Sequence, residues 1–218
     1  MSRLIIVCFA VKEEARFFKC RTFSGGEIRT VVTGMGARNS GIAIRKILAE
    51  QKPGLVLTCG FAGALSPNLE TGNVVFDVQP ETKLRAPLLS AGAIPAMFYC
   101  APRVATTAAE KQALRKSTGA DVVEMESGII CKSCSAAQVP SGTVRVVLDT
   151  AYEDLPLDFN VLMTEDQQLD SRKLLLAIAK APWKIAALIR LHKESSNAAL
   201  RLGTTLKCIL SSSGRENQ

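Results

Sequence analysis

The sequence predicts an α/β fold, a three-layer α/β/α sandwich around a mixed, largely parallel central sheet. Two observations predict it. Short, continuous apolar runs such as Leu4 to Phe9 and Leu55 to Cys59 have the length and composition of strands buried on both faces. Segments with helical apolar spacing alternate with these runs, the pattern that places helices on both sides of a sheet. A chain of 218 residues, 47% hydrophobic and 22% charged, is long enough to bury one large core. We expect a single domain over residues 1–210 and a flexible polar tail over 211–218; there is no internal repeat.

The first strand, Leu4 to Phe9, is followed by Lys12-Glu13-Glu14-Ala15-Arg16, which opens a helix. A second strand, Ile28 to Thr33, ends in Gly34-Met35-Gly36, and a helix from about Ser40 to Glu50 is stopped by Pro53-Gly54. Leu55 to Cys59 is a strand closed by the small-residue turn Gly60-Phe61-Ala62-Gly63-Ala64, and Val74 to Phe76 follows Gly72. A looser stretch passes through Pro80, Pro87, Pro95 and Pro102. Beyond it come a helix near 107–117, a strand at 121–123, a helix from about Glu126 to Ala137 and the strand Val144 to Leu148. The last quarter carries apolar helical stripes (Leu174, Ile178, then Ile185, Leu188, Ile189) interrupted by Pro182.

Charge is uneven along the chain. Residues 1–170 hold 18 basic and 18 acidic side chains, whereas from Ser171 onward nine basic residues face two acidic ones. Any anionic partner attracted by the net +7 therefore meets the C-terminal segment. Seven cysteines, an odd number partly inside apolar runs, fit a reducing cytoplasm. Leu4 to Val11 imitates a short signal region, but the immediate Lys12-Glu13-Glu14 and the lack of a small-residue cleavage pattern favour a strand. No stretch has the length to span a bilayer, so the expected location is cytoplasmic, with a peripheral position at the inner membrane face as its extension.

In open α/β sheets the ligand crevice lies at the carboxyl ends of the strands, and the polar residues gather there. Four clusters qualify: Glu13 and Glu14, the Gly60–Gly63 turn, Glu124-Met125-Glu126, and Arg145 with Asp149. Gly60-Phe61-Ala62-Gly63-Ala64-Leu65, then Gly72-Asn73-Val74-Val75, Val123-Glu124-Met125-Glu126-Ser127 and Arg145-Val146-Val147-Leu148-Asp149 share one order and spacing. In that order and spacing they resemble the nucleoside phosphorylase superfamily, in particular the nucleosidases acting on methylthioadenosine and S-adenosylhomocysteine. Ala10-Val11-Lys12-Glu13-Glu14 is similar to their N-terminal acidic motif. The C-terminal Pro182-Trp183-Lys184 and Leu188-Ile189-Arg190-Leu191 resemble the hopanoid-associated phosphorylases, proposed to release adenine from adenosylhopane in hopanoid biosynthesis.

The resemblance implies a purine nucleosidase with a nucleoside phosphorylase-like fold, no metal, no organic cofactor and a homo-oligomeric state. Breaking the C1′–N9 bond leaves an oxocarbenium-like ribosyl group and a purine anion, so the base needs a proton and the sugar a nearby negative charge. By resemblance Asp149 is the general acid at N7, which requires burial to hold its proton; the alternative is a simple strand-end cap. Glu126 matches the acceptor of the ribose 2′- and 3′-hydroxyls, a role compatible with a helix-dipole position. Glu14 and Glu124, with Arg145 between them, resemble the group that orients the attacking water, while Glu13 and Glu14 also read as a solvated first helical turn. Met125 would pack under the sugar or fill the core, Phe61, Ala62, Gly63 and Val104 line the base site, and Phe159 lies at its edge or in the core.

Three departures matter. Phosphorylases of the superfamily place an arginine before the glycine turn and a serine within it, where this chain has Thr58 and Phe61; water is thereby favoured over phosphate as acceptor, with Arg38 or Arg45 as the remaining phosphate ligands. Only residues 78–102 separate Asp77 from Arg103, a shortened wall that would leave the 5′ side open to a bulky substituent. Cys131 and Cys134 sit within a helix with no second ligand pair, which argues against a metal site. The rival readings are phosphorolysis of the same bond and a non-catalytic nucleoside or nucleic-acid binding module. A nucleic-acid role is disfavoured by a basic segment whose one aromatic is Trp183, and an anionic membrane is the alternative partner for residues 171–207.

Overall fold

The computed structural model describes residues 3–23, 26–164, 166 and 170–212. In β1 (Arg3–Phe9) the side chains alternate between two cores, Ile5, Val7 and Phe9 entering one and Ile6 and Cys8 the other. Both faces of this strand are therefore dry, which is the reason its sequence has no polar alternation. The one-turn helix α1 (Lys12–Ala15), β2 (Thr22–Phe23) and β3 (Gly26–Val32) follow, with β3 parallel to β1. Then come α2 (Gly36–Glu50), β4 (Leu55–Ala64) and β5 (Val74–Val78).

The proline-rich stretch is more ordered than expected. It holds a 3-10 turn (Pro80–Thr82), α3 (Arg85–Ser90), β6 (Ile94–Pro95) and β7 (Phe98–Cys100). Leu84 and Leu88, one helical turn apart and both buried, anchor α3 to the core and override the local turn signals. The chain continues through α4 (Ala108–Thr118), β8 (Val122–Glu124), α5 (Ser127–Ala136), β9 (Ser141–Asp149) and α6 (Phe159–Leu162). It ends in α7 (Ser171–Lys180), a 3-10 turn at Pro182–Lys184 and the long α8 (Ile185–Ser212). That last helix runs to Ser212, while the tail was expected over 211–218; residues 213–218 lie outside the described residues.

Among the described residues the sheet has nine strands in the order β2-β3-β1-β4-β9-β5-β6, with β8 on the end of β4 and β7 beside β8. The pairs β1–β3, β1–β4 and β4–β9 are parallel, and β5 and β8 join antiparallel, so the sheet is mixed and largely parallel as predicted. Ile44 and Ile47 of α2 with Ile130 and Cys134 of α5 cover one face. The C-terminal half of α8 covers the other through Ala198, Leu202, Leu206, Ile209 and Leu210. Each leucine or isoleucine fully buried in this way stabilises the fold by about 1.5–3 kcal/mol.

One expected turn is a strand. β4 does not stop at Cys59 but runs through Gly60 to Ala64, because β9 and β8 continue the ladder beside it. The two glycines are there for close approach, as the site shows.

Candidate active site

Because β1, β4 and β9 run parallel, their carboxyl ends open on one edge of the sheet. Four charged side chains are buried together there: Glu14, Glu124, Glu126 and Arg145. Arg145 lies on β9 opposite Gly60, and a Cβ on Gly60 would collide with both the Arg145 guanidinium and the Glu14 carboxylate. The φ of +151° at Gly60 is a further reason for glycine.

Arg145 is the hub. Its Nη2 donates to Glu124 Oε2 at 2.6 Å, to Thr58 Oγ1 at 3.1 Å and to Glu126 Oε2 at 3.3 Å, and its Nη1 donates to the Cys59 carbonyl at 3.2 Å. Burial opposes its charge, but Glu124, Glu126 and Glu14 more than offset this and push its pKa further up. The Thr58 hydroxyl is thus committed to the site's own cation.

The three glutamates differ in state because one guanidinium cannot neutralise all of them. Glu124, although buried, is held below the usual carboxylate range by Arg145, by the Ser127 hydroxyl at 2.6 Å and by the Glu126 and Ser127 amides at 3.0 and 2.8 Å. Glu124, rather than Glu126, therefore caps α5. Glu126 turns away from the helix to accept from Gly36 N at 2.7 Å; burial pushes its pKa up to about 7, with Arg145 opposing and Glu124 and Glu14 assisting. Glu14 accepts from Ala10 N at 2.8 Å, Val11 N at 3.1 Å and Phe61 N at 2.8 Å, so it closes the first helical turn and faces the site at once. Burial raises its pKa despite Arg145 and these amides. Glu13, by contrast, is exposed.

Asp149 stands at the end of β9. The β4–β9 ladder slips there, pairing Ala62 with Val147 and Gly63 with Asp149 and passing over Leu148, a bulge that re-aims the aspartate. A Cβ on Gly63 would lie 3.2 Å from Asp149 Oδ2. Burial raises the pKa of Asp149, and its ion pair with Lys111 works in the opposite direction. Asp149 borders a cleft whose other side is Ala187, Arg190, Leu191 and Glu194 of α8.

Among the remaining candidates, Ala62 and Met125 are buried and Gly63 is half-buried beside Asp149. Phe61 is half-buried and offers its amide to Glu14. Asn160, next in sequence to the half-buried Phe159, ties α6 to Val104, accepting from Val104 N at 2.9 Å and donating to Val104 O at 3.0 Å. The two arginines considered for phosphate are elsewhere occupied or distant: exposed Arg38 faces Asp166 at 3.7 Å, and Arg45 borders a groove between α2 and α5 with Ser133 and Ala136.

Comparison with known proteins bears on the fold. The family model of the Phosphorylase superfamily matches residues 96–180. The futalosine hydrolase of Helicobacter pylori strain 26695 superposes with a TM-score of 0.70 at 15% identity, over 97% of this chain and 99% of that one. The 5′-methylthioadenosine/S-adenosylhomocysteine nucleosidase of Campylobacter jejuni gives 0.70 at 16% identity, over 96% and 99%. The corresponding nucleosidase of Streptococcus pneumoniae, solved with a transition-state inhibitor, gives 0.70 at 14% identity, over 95% and 98%. The chain has the nucleoside phosphorylase and nucleosidase fold.

Within that fold the residue that sequence reasoning missed is Lys111. It is fully buried on α4 and pairs with Asp149, yet it sits among Glu110, Gln112, Arg115 and Lys116, where any lysine reads as solvated. Gly36, Ser127 and Thr58 are also partners of the charged cluster; the sequence placed them in a glycine turn, at the end of the Glu-Met-Glu motif and before the β4 glycines, without showing these contacts.

Proposed function

We propose that the protein hydrolyses the N-glycosidic bond of a purine nucleoside, with adenine as the base and a bulky, lipid-like 5′ substituent such as that of adenosylhopane. The observation that carries this reading is the pairing, at one sheet edge, of two carboxyl groups kept protonatable by burial, Glu14 and Asp149, with a carboxylate cluster around Arg145. A raised pKa makes Glu14 a better base toward water, and the same effect lets Asp149 carry a proton to N7. Glu126, fixed by Gly36 and Arg145, receives the ribose hydroxyls. Met125 packs under the sugar; Phe61, Ala62, Gly63, Val104 and Phe159 surround the base.

Water is the acceptor in this reading because three glutamates converge on a single guanidinium and would repel a phosphate dianion. The lipid-like substituent rests on the C-terminal helices. The α8 residues that border the Asp149 cleft belong to a segment that also exposes Leu175, Leu176, Trp183 and Ile189 among basic side chains. An anionic membrane face is the surface such a segment suits.

The test is base release from adenosine, methylthioadenosine, S-adenosylhomocysteine and 5′-alkyl adenosines, with and without phosphate. Adenine and free ribose in phosphate-free buffer are expected, with preference for the 5′-alkyl substrates. Strict phosphate dependence with ribose 1-phosphate as product would overturn hydrolysis, and no release from any nucleoside would leave a binding module.

A further inference from the structure

The backbone just before α4 is tied down on both sides of one residue and left open at that residue. Val104 N donates to Asn160 Oδ1 at 2.9 Å, and Val104 O accepts from Asn160 Nδ2 at 3.0 Å. Thr106 N donates to Glu110 Oε2 at 2.9 Å, and Thr106 O accepts from Leu155 N at 2.8 Å. Between them Ala105 is buried, and among the described residues neither its N–H nor its C=O has a hydrogen-bond partner. Buried backbone groups are nearly always paired, so a residue with both of them open presents a donor and an acceptor, side by side, to a partner outside the chain.

This open edge adjoins the loop that follows the candidate acid. Leu155, bonded to Thr106, lines the cleft that Asp149 borders. Ala108 N donates to Asp154 Oδ1 at 2.7 Å, and Lys111 Nζ donates to the Thr150 and Glu153 carbonyls at 2.8 and 2.7 Å, so the start of α4 and the segment after β9 are joined along their length. A 6-aminopurine whose N7 meets Asp149 carries on its other ring an acceptor at N1 and a donor at the amino group. One backbone N–H and one C=O are the complement of that pair.

The register of the edge is set by Asn160. Its side-chain amide pairs with Val104 as a neighbouring strand would, donor to acceptor and acceptor to donor, and Nδ2 also donates to Asp158 Oδ1 at 3.0 Å. Those three partners allow the amide only one orientation. Asp158 in turn caps α6 by accepting from Asn160 N at 2.9 Å, and Leu157 and Leu162, before the cap and at the end of the helix, are both buried. We propose that Asn160 is a positioning residue for base recognition: by occupying both backbone groups of Val104, it keeps the adjoining N–H and C=O of Ala105 in place as the edge that receives the 6-aminopurine. The inference rests on the nucleosidase reading above and deepens it, because it names what sets the choice of base.

Removing the Asn160 amide would release the N–H and C=O of Val104, which then compete for the base one residue out of register. Glu110 cannot substitute, since it holds Thr106 on the other side of Ala105 and is itself paired with Arg103. Selectivity for the base should therefore suffer more than the bond cleavage itself.

A comparison of bases tests this. An adenosine substrate, its purine riboside counterpart without the 6-amino group and its 1-deaza counterpart without N1, all with the same 5′ group, are assayed with the wild type and Asn160→Ala; intrinsic differences in leaving-group reactivity cancel between the two proteins. In Asn160→Ala, kcat/KM for the adenosine should fall about 10- to 100-fold, mostly through KM, and for either analogue about fivefold or less, because the analogue has less of the edge to lose. Asn160→Asp keeps the acceptor for Val104 N but sets a carboxylate against the Val104 carbonyl and Asp158, and should behave as Asn160→Ala does. Equal losses on all three substrates would show that Asn160 only supports α6, and unchanged kinetics would show no role; either overturns the inference. Should both variants fail to fold, amide hydrogen exchange in the wild type decides. Adenine is expected to slow exchange at Ala105 N–H while Val104 N–H is slow with and without it, and an Ala105 amide that saturating adenine leaves unchanged sinks the proposal. The parent reading fails separately, through a wild type that releases no base from any nucleoside, and the exchange measurement then still decides whether the Ala105 edge takes a purine.

Discussion

Glu126 Oε1 accepts a hydrogen bond from Gly36 N at 2.7 Å, joining the start of α2 to the start of α5 across 90 residues of sequence. The second oxygen lies 3.3 Å from Arg145 Nη2, so the carboxylate is fixed at both ends with lone pairs left for a ligand. If those lone pairs receive the ribose hydroxyls, Glu126→Gln should weaken kcat/KM for ribonucleosides about 100-fold and for 2′-deoxyribonucleosides about tenfold or less. Equal losses on the two substrate series would return Glu126 to a purely structural role.

The same residue makes stability depend on pH. Its pKa rises from 4.5 to about 7 on folding, so its contribution is fully present below pH 4.5 and is lost as the pH climbs through 7. Glu14 titrates in the same direction and Glu124 in the opposite one. Between pH 5 and pH 8 the wild type is expected to lose on the order of 1–3 kcal/mol more than Glu126→Gln, which has nothing to titrate there. Denaturant midpoints of both proteins at the two pH values supply the comparison, and parallel pH dependences would remove Glu126 from the account.

Gly60 is the tightest backbone position in the site. An alanine there meets the Arg145 guanidinium and the Glu14 carboxylate, and neither can retreat because each is hydrogen-bonded elsewhere. Gly60→Ala should destabilise the protein by about 2 kcal/mol or more through overpacking. Gly92→Ala is the control, since its φ of +78° is strained for alanine but nothing lies within 4 Å of the added methyl; about 1 kcal/mol is expected. Similar thermal shifts for the two variants would mean that the Gly60 contact is soft.

The legible parts of this protein were those whose chemistry repeats locally. Leu4 to Phe9 and Leu55 to Cys59 read as strands because both faces of each are dry, and Glu124, Glu126, Arg145 and Asp149 stood out as charges at the ends of such strands. Long-range partners were not legible. Gly36 acts on a residue 90 positions away, and Lys111 is buried only because the segment 149–155 folds over α4. The glycines of β4 were read as a turn, since small residues signal turns locally; only the side chains packed against them from β9 and α1 show that they mark close approach inside a strand.

The last prediction concerns α7 and the first half of α8. Among the described residues from Met163 to Asn197 no side chain is fully buried, while Leu175, Leu176, Trp183 and Ile189 are each at least 60% exposed. Arg172, Lys173, Lys180, Arg190 and Lys193 are exposed in the same segment. Covering the core explains the second half of α8, with Ala198, Leu202 and Leu206 buried, but it does not explain apolar side chains left in water beside cations. No described helix is long and apolar enough to cross a membrane, so a lipid partner would be met at the surface, where each Lys or Arg contributes about 1 kcal/mol before screening. Co-sedimentation with vesicles containing anionic phosphatidylserine is expected at low salt, reduced several-fold by Trp183→Ala with Ile189→Ser and abolished on neutral vesicles. Because the same helix half borders the Asp149 cleft, bound vesicles should also raise turnover of a 5′-alkyl adenosine relative to adenosine. No binding to anionic vesicles, together with a sedimentation coefficient that falls on Trp183→Ala, would instead assign this face to a second copy of the chain.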